Sequence, residues 1–215
     1  MSRRSTRIAI ADDHPIVRAG IRAVLEMQPD WDVCAEAGDG GALVQLALDH
    51  QPHIVIVDYS LPVLNGLEAV RRMRSVAPRA QVLIYTMHDD DMLIRDALKA
   101  GVRGYLLKSE NDEELVAAIQ ALIDGKTYFS QRVSECLLEE FLNGDKVVAS
   151  QTLTGREREV VQLVAEGGSN RSIAARWGVS IKTVDTHRTS AMKKLGLRSA
   201  VDLARYAIRN KLIEP

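Results

Sequence analysis

HIVIVD at 53–58, followed at once by YSLPVLNGLE at 59–68, is the stretch on which the reading of the fold turns. Residues 54–57 are four consecutive β-branched apolar residues, and the run halts on an acid, Asp58. A strand with one wet face alternates polar and apolar residues. An unbroken run of this kind belongs to a strand buried on both faces, as in the middle of a parallel sheet. Pro62, Asn65 and Gly66 then supply turn chemistry before an amphipathic stretch begins at 66. A second such run, QVLIYT at 81–86, carries the same near-continuous apolar character at 82–85.

Working outward, strand signals stand at 7–11, 32–38, 53–58, 81–86 and 104–108. Stretches with helical apolar spacing lie between and after them, at 15–27, 41–50, 66–77, 90–100 and 112–124. Five strand–helix units in succession demand a parallel sheet clothed by helices, because right-handed crossovers leave little else. The expected architecture for residues 1–125 is therefore a flavodoxin-like (βα)5 domain with strand order 2-1-3-4-5. Its functional edge lies at the C-terminal ends of the strands. Residues 126–152 read as a linker carrying one amphipathic connector helix at 131–143, ending in GDKVVASQT.

From 153 to 215 no strand pattern survives. Thr154 and Glu157 form a capping box that opens a helix running to about Glu166, and Gly167–Gly168 ends it. Ser169 or Asn170 caps a short helix to Trp177, Gly178 turns the chain, Ser180 caps a helix to Leu195, and Ser199 caps a last one to about Asn210. The second domain is expected to be all-α, with four short helices.

Composition limits what such a chain can be. Hydrophobic residues make up 46% and charged residues 27%, which is the mix of a globular protein. No apolar run approaches the ~20 residues that cross a bilayer, so no membrane partner is expected. The basic N-terminus lacks the apolar core of a secretory signal. Cys34 and Cys136 are far apart and lack metal-ligand spacing, which fits reduced thiols and a cytoplasmic location. The net charge of −1 conceals an asymmetry: residues 8–130 sum to −8 and residues 151–215 to +6, so only the second domain is suited to a polyanion.

Chemistry collects where strands end. Asp12 and Asp13 follow the first strand, Asp58 ends the third, Thr86 the fourth and Lys108 the fifth. With the first and third strands adjacent, the three carboxylates converge, and such a cluster is costly without a cation. Hard oxygen ligands at an open edge suit Mg²⁺. Lys108 adds a positive charge and Thr86 a hydroxyl donor. That set is what phosphoryl transfer to a carboxylate requires, with one Asp attacking phosphorus while metal and lysine neutralise the equatorial oxygens.

ADDHPIVRAGI, VDYSLPVLNGLE, YTMHDDD and AGVRGYLLKS, all in order within 7–124, resemble a receiver domain. The whole chain is similar to two-component response regulators of the NarL/FixJ class. The resemblance implies that Asp58 is the phosphoacceptor, and that Asp13, Asp58 and the Ser60 backbone carbonyl bind Mg²⁺, with Asp12 acting mainly through water. It further implies that Thr86 and Lys108 hold the phosphoryl group and that Tyr105 is the aromatic switch that follows Thr86. Two positions depart from the family pattern. Met87 follows Thr86 where Ala or Gly is usual, and its bulk is expected to narrow access to Asp58. Ser109 follows Lys108 where many receivers have proline.

In the second domain, the helices at 170–177 and 181–195 are separated by Gly178-Val179-Ser180, the turn length of a helix-turn-helix. Val184, Ala191 and Leu195 recur at helical spacing and are expected to face the core. Lys182, Thr183, Asp185, Thr186, Thr189 and Lys193 make an outer face of small polar groups and lysines suited to a major groove. Arg171, Arg188, Lys194 and Arg198 are candidate phosphate contacts, and His187 is expected to pack or to touch phosphate. The segment from LTGREREVV to KKLGL strongly resembles a LuxR-type helix-turn-helix. Asp185 departs from the family, where Lys is common. An acid there is expected to accept from cytosine or adenine amino groups, or to reject other bases.

Taken together, the sequence predicts a non-enzymatic, DNA-binding transcription regulator. A histidine kinase partner phosphorylates it, and it binds double-stranded DNA as a homodimer. A haloacid-dehalogenase-type enzyme would also use an aspartate nucleophile with Mg²⁺. Its strand-end motif is D-x-D, whereas Asp58 opens DYSLP. A DNA-binding protein with a vestigial receiver is opposed by the complete set of acids, hydroxyl and lysine.

Overall fold

The structure, a computed structural model, describes residues 5–89, 91–143, 153–210 and 212–213. The residues 144–152 at the end of the predicted linker lie outside the described residues. The chain divides into two compact units.

The first unit carries six parallel strands: β1 (Thr6–Ala11), β2 (Trp31–Ala37), β3 (Ile54–Val57), β4 (Gln81–Thr86), β5 (Gly104–Leu107) and β6 (Tyr128–Phe129). Their order is β2-β1-β3-β4-β5-β6. This is the expected doubly wound order extended by one strand. The two residues of β6 are too few to show a period in the sequence, and pairing with β5 alone makes them a strand. The helices of this unit are α1 (Pro15–Glu26), α2 (Gly40–His50), α3 (Gly66–Val76), α4 (Asp91–Lys99), α5 (Asp112–Ile123) and α6 (Gln131–Asn143).

All four residues of β3 are buried, as the unbroken Ile-Val run requires. Ile8, Ile10, Ile54, Ile56, Leu83 and Leu106 build one core with Ile21 and Leu25 of α1 and Leu115, Ile119 and Leu122 of α5. Ala9, Ala11, Val55, Val57, Val82 and Ile84, on the opposite pleat, are buried as completely. Each buried Val, Leu or Ile contributes about 1.5–3 kcal/mol, so the sheet centre holds the strand ends rigidly. α6, the predicted connector helix, packs on α4. Its Val133 and Cys136 are buried, and Arg132 makes a 2.6 Å ion pair with Asp91.

Register places the chemistry. Ala11 pairs with Val57, and the backbone N–H of Asp58 donates to the Ala11 carbonyl at 2.8 Å, so Asp12 and Asp58 leave adjacent strands side by side. Gly66 then brings α3 down onto this end of the sheet. A Cβ at position 66 would stand 1.9 Å from the Asp58 carbonyl oxygen, a space only glycine leaves open.

The second unit holds α7 (Gly155–Ala165), α8 (Asn170–Trp177), α9 (Ile181–Leu195) and α10 (Ala200–Arg209). Each begins on the residue the sequence marked. Thr154 and Glu157 complete the capping box, and Ser169, Ser180 and Ser199 accept from the backbone of the first turns of α8, α9 and α10. Gly178 ends α8 with a left-handed φ of 66°, which favours glycine. Val184 packs with Val160, Leu163, Ile173 and Ala174, and Ala191 packs with Leu153, Val161, Leu203 and Ala207. Leu195 is half-buried against the second of these clusters.

Among the described residues, no helix is long and apolar enough to cross a membrane.

Candidate functional site

The predicted acidic site is assembled by three strand ends. The Lys108 Nζ stands 2.6 Å from Asp12 Oδ2 and 2.7 Å from Asp58 Oδ2, so one ammonium bridges both carboxylates. Asp12 and Asp58 are 1% and 4% exposed, which means water cannot screen these charges. Burial alone would lower the lysine's pKa, but the charge of Asp58 and the hydrogen bonds that the ammonium donates to both acids raise it above the ordinary value. Lys108 is therefore firmly cationic near neutral pH. It is held in reach by its own backbone N–H, which donates to the Thr86 carbonyl at 2.8 Å.

The four oxygens of these two acids are not equivalent. Asp12 Oδ1 accepts from the His14 backbone N–H at 2.9 Å, and its Oδ2 is taken by Lys108. Asp58 Oδ2 is taken by Lys108, whereas Asp58 Oδ1 is buried and has no hydrogen-bond partner among the described residues. Thr86 Oγ1, on the strand next to β3, is buried and equally unpartnered there. An unsatisfied buried polar atom is costly. A carboxylate oxygen and a hydroxyl left so at one sheet edge are chemically available to a group that enters there.

Asp13 is placed differently from Asp12. Its side chain is 31% exposed, and its Oδ1 lies 2.8 Å from His14 Nδ1. Asp12, Asp13 and His14 offer ligand atoms all within 4.8 Å of one another, a cluster that could hold a metal ion. Asp58 is joined to Asp12 through Lys108. His14 lies outside the ligand set expected from the sequence, although its position beside an acid pair is a visible signal.

Tyr105 is fully buried, and its hydroxyl donates to the His88 carbonyl at 2.7 Å. Ser60 is buried and its Oγ lies 2.7 Å from His88 Nε2. The Met87 side chain has 67% of its surface in solvent, so it is not packed into the buried pocket of Asp58 and Thr86. The expectation that its bulk narrows that pocket has no support in this placement. Among the described residues there is no cis peptide bond, at Ser109 or elsewhere.

In the second unit, Lys182, Thr183, Asp185, Thr186, Thr189 and Lys193 are all exposed along α9. Several are already engaged locally. Thr186 Oγ1 donates to the Lys182 carbonyl at 2.9 Å, and the hydroxyls of Thr183 and Ser180 are 2.9 Å apart. Asn170 joins two candidate contacts, its amide nitrogen donating to Asp185 Oδ1 at 3.1 Å and its carbonyl accepting from Arg188 at 3.2 Å.

Lys194 departs most from its predicted placement. It is only half-exposed and makes a 2.6 Å ion pair with Glu157, which also accepts from Ser190 at 2.6 Å. Burial of Glu157 would raise its pKa, but Lys194, Ser190 and the capping box together hold it down at about 2. The pattern of α9 could not show this, because the partner lies on α7. His187 packs edge-on to Trp177 with ring centroids 6.0 Å apart, and the Trp177 indole donates to Glu159 at 2.7 Å.

Comparison with known proteins matches residues 8–120 to the response regulator receiver domain and residues 151–207 to the bacterial regulatory proteins of the luxR family. The oxygen regulatory protein NreC of Staphylococcus epidermidis is 39% identical, the match spanning 97% of this chain and 99% of that one. Among solved structures, the RcsB response regulator of Salmonella typhimurium superposes with a TM-score of 0.67 at 30% identity, over 94% of this chain and 96% of the other. An RcsB–DNA complex superposes with a TM-score of 0.60 at 30% identity, over 94% and 97% of the two chains.

Proposed function

We propose, from the premise that this chain belongs to the two-component response regulators with a receiver domain and a LuxR-family DNA-binding domain, that Asp58 is its phosphoacceptor and α9 its DNA-reading helix. The chain is a phosphorylation-dependent transcription regulator and not an enzyme. In this reading residues 1–125 are the receiver, 126–152 the connecting segment that carries α6, and 153–215 the DNA-binding domain.

The observation that carries the assignment is Oδ1 of Asp58, buried and without a hydrogen-bond partner among the described residues, beside the fixed charge of Lys108. Oδ1 attacks the phosphorus of a phosphohistidine on a partner kinase. The new O–P bond forms as the P–N bond breaks, and the electron pair of that bond stays on the imidazole nitrogen, the ring leaving neutral because its other nitrogen already carries a proton. Lys108 and the Thr86 hydroxyl neutralise and hold the transferred oxygens, the main protein contribution to a loose phosphoryl transition state.

Asp13, Asp58 and the Ser60 carbonyl would hold Mg²⁺, with Asp12 acting through water. The donor set fits: it is built of hard oxygens, and Asp13 belongs to a cluster with Asp12 and His14 whose ligand atoms lie within 4.8 Å of one another. When bound, the ion would offset the added negative charge at the carboxylates.

For the second unit we propose Lys182, Thr183, Asp185, Thr186 and Thr189 as base-facing, with Arg188 and Lys193 toward phosphates, while Lys194 is engaged by Glu157. Two copies would occupy paired half-sites on double-stranded DNA, in the cytoplasm. The test of the central assignment is labelling with a small acyl-phosphate donor and Mg²⁺. One phosphoryl group is expected on the parent and none on Asp58→Asn. A labelled Asn variant would overturn the assignment.

A further inference from the structure

Three groups meet at one residue of the β4–α4 loop that the mechanism above leaves unused. The His88 ring is bonded through Nε2 to the Ser60 hydroxyl at 2.7 Å. It receives the Tyr59 ring edge-on, with centroids 5.8 Å apart and planes at 90°. Its backbone carbonyl accepts from the Tyr105 hydroxyl at 2.7 Å. Tyr59 and Tyr105 are both buried, so His88 is gripped at once from the loop after β3 and from within β5.

The spacing gives this grip a direction. Ser60 stands two residues beyond Asp58, and His88 two beyond Thr86. β3 and β4 are neighbours in register, so the Ser60–His88 bond closes a loop that runs Asp58, Tyr59, Ser60, His88, Met87, Thr86. A displacement of the Asp58 segment therefore reaches the Thr86 segment through a side-chain bond as well as across the sheet. From His88 the same displacement passes to Tyr105 through the carbonyl.

We infer that His88 is a positioning residue that couples the phosphoacceptor loop to Tyr105, its ring engaging Ser60 and its carbonyl holding the tyrosine hydroxyl. The coupling rests on the assignment of Asp58 as phosphoacceptor. It requires no contact between His88 and the phosphoryl group. A ring tied to the β3–α3 loop on one side and a carbonyl tied to β5 on the other make one short, stiff link, so loss of either bond frees the other end.

The experiment uses the full chain carrying fluorotyrosine, with the Tyr105 signal assigned by Tyr105→Phe. The chain is treated with a small acyl-phosphate donor and Mg²⁺, and Asp58 labelling is measured in the same samples. In the parent, labelling is expected to move the Tyr105 signal and to raise affinity for a duplex selected with the phosphorylated parent. In His88→Ala and in Ser60→Ala the gain in affinity is expected to fall about threefold to tenfold, the range of one hydrogen bond. The double variant should fall no further than either single, because both remove the same bond. His88→Gln, whose amide can still reach Ser60, should recover most of the gain.

A labelled parent whose Tyr105 signal stays still would overturn the coupling. So would an unchanged gain in His88→Ala, additive losses in the double variant, or equal loss in His88→Gln and His88→Ala. Ser60→Ala keeps the test standing should a His88 variant fail to fold. A parent not labelled at Asp58 would instead remove the assignment beneath the inference.

Discussion

The ammonium of Lys108 lies 2.7 Å from Oδ2 of Asp58, a lysine and an aspartate carried at the ends of the two strands that flank β4. The same ammonium serves Asp12 at 2.6 Å, so one cation is shared between two buried anions. The pocket is thus one positive charge short before any phosphoryl group arrives. A site with this deficit favours entry of a second cation and disfavours loss of the first.

Opposite effects on stability are expected from the two partners. Lys108→Met leaves two buried carboxylates facing each other and should cost the first unit about 2–4 kcal/mol. Asp58→Asn leaves Lys108 and Asp12 as a balanced pair and should change stability by less than about 1 kcal/mol, or raise it. Urea unfolding of both variants checks this. Because the Lys108 pKa is raised in the folded chain, its contribution is complete below the ordinary lysine value and is lost only as pH rises through the folded one.

Met87→Ala is expected to leave the rate of Asp58 labelling within about twofold, the range for an exposed side chain outside the packed site. Time courses with an acyl-phosphate donor measure it. A much faster variant would mean that the methionine obstructs entry from its solvent-facing position.

Lys193 and Lys194 are neighbours in the chain with different occupations. Lys193→Ala should lower the slope of log affinity against log salt by about 1, as loss of a phosphate contact does. Lys194→Ala should change that slope less and should instead destabilise the second unit, because it strips Glu157 of its ion pair. Binding titrations across salt, with thermal unfolding of the same variants, separate the two roles.

Glu157 makes the second unit sensitive to acid. Its pKa of about 2 lies below the ordinary 4.5, so its stabilisation is present above the ordinary value and is lost as pH falls from about 4.5 toward 2. Glu157→Ala should cost about 1–3 kcal/mol at neutral pH, combining the capping box with the Lys194 pair. The difference from the parent should shrink below pH 4.5 in unfolding followed by circular dichroism.

Asp185→Lys tests the reading face. The acid is tethered to Asn170, which also holds Arg188, so its replacement removes a negative charge and frees the Asn170 amide. Tighter binding to unrelated duplexes, weaker discrimination among sequences and a steeper salt slope are expected. Unchanged specificity with unchanged salt dependence would place the groove-facing surface elsewhere on the unit.

The sequence alone determined the features that depend on local periods and caps. The Ile-Val run at 54–57 could be buried on both faces in only one kind of sheet, and that sheet puts Asp12, Asp58, Thr86 and Lys108 at one edge. Thr154, Ser169, Ser180 and Ser199 declared their helices because a capping hydroxyl acts within three residues of itself.

What only the tertiary structure decided are the pairings between residues distant in the chain. The two residues of β6 become a strand through β5, Lys108 divides its charge between two acids, and Lys194 turns to Glu157 across 37 positions. His88 gathers Tyr59, Ser60 and Tyr105 in the same way. The physical reason is that the fold selects one partner among many of equal charge or polarity. A linear pattern carries the type of each group but not which of them burial brings within hydrogen-bond reach.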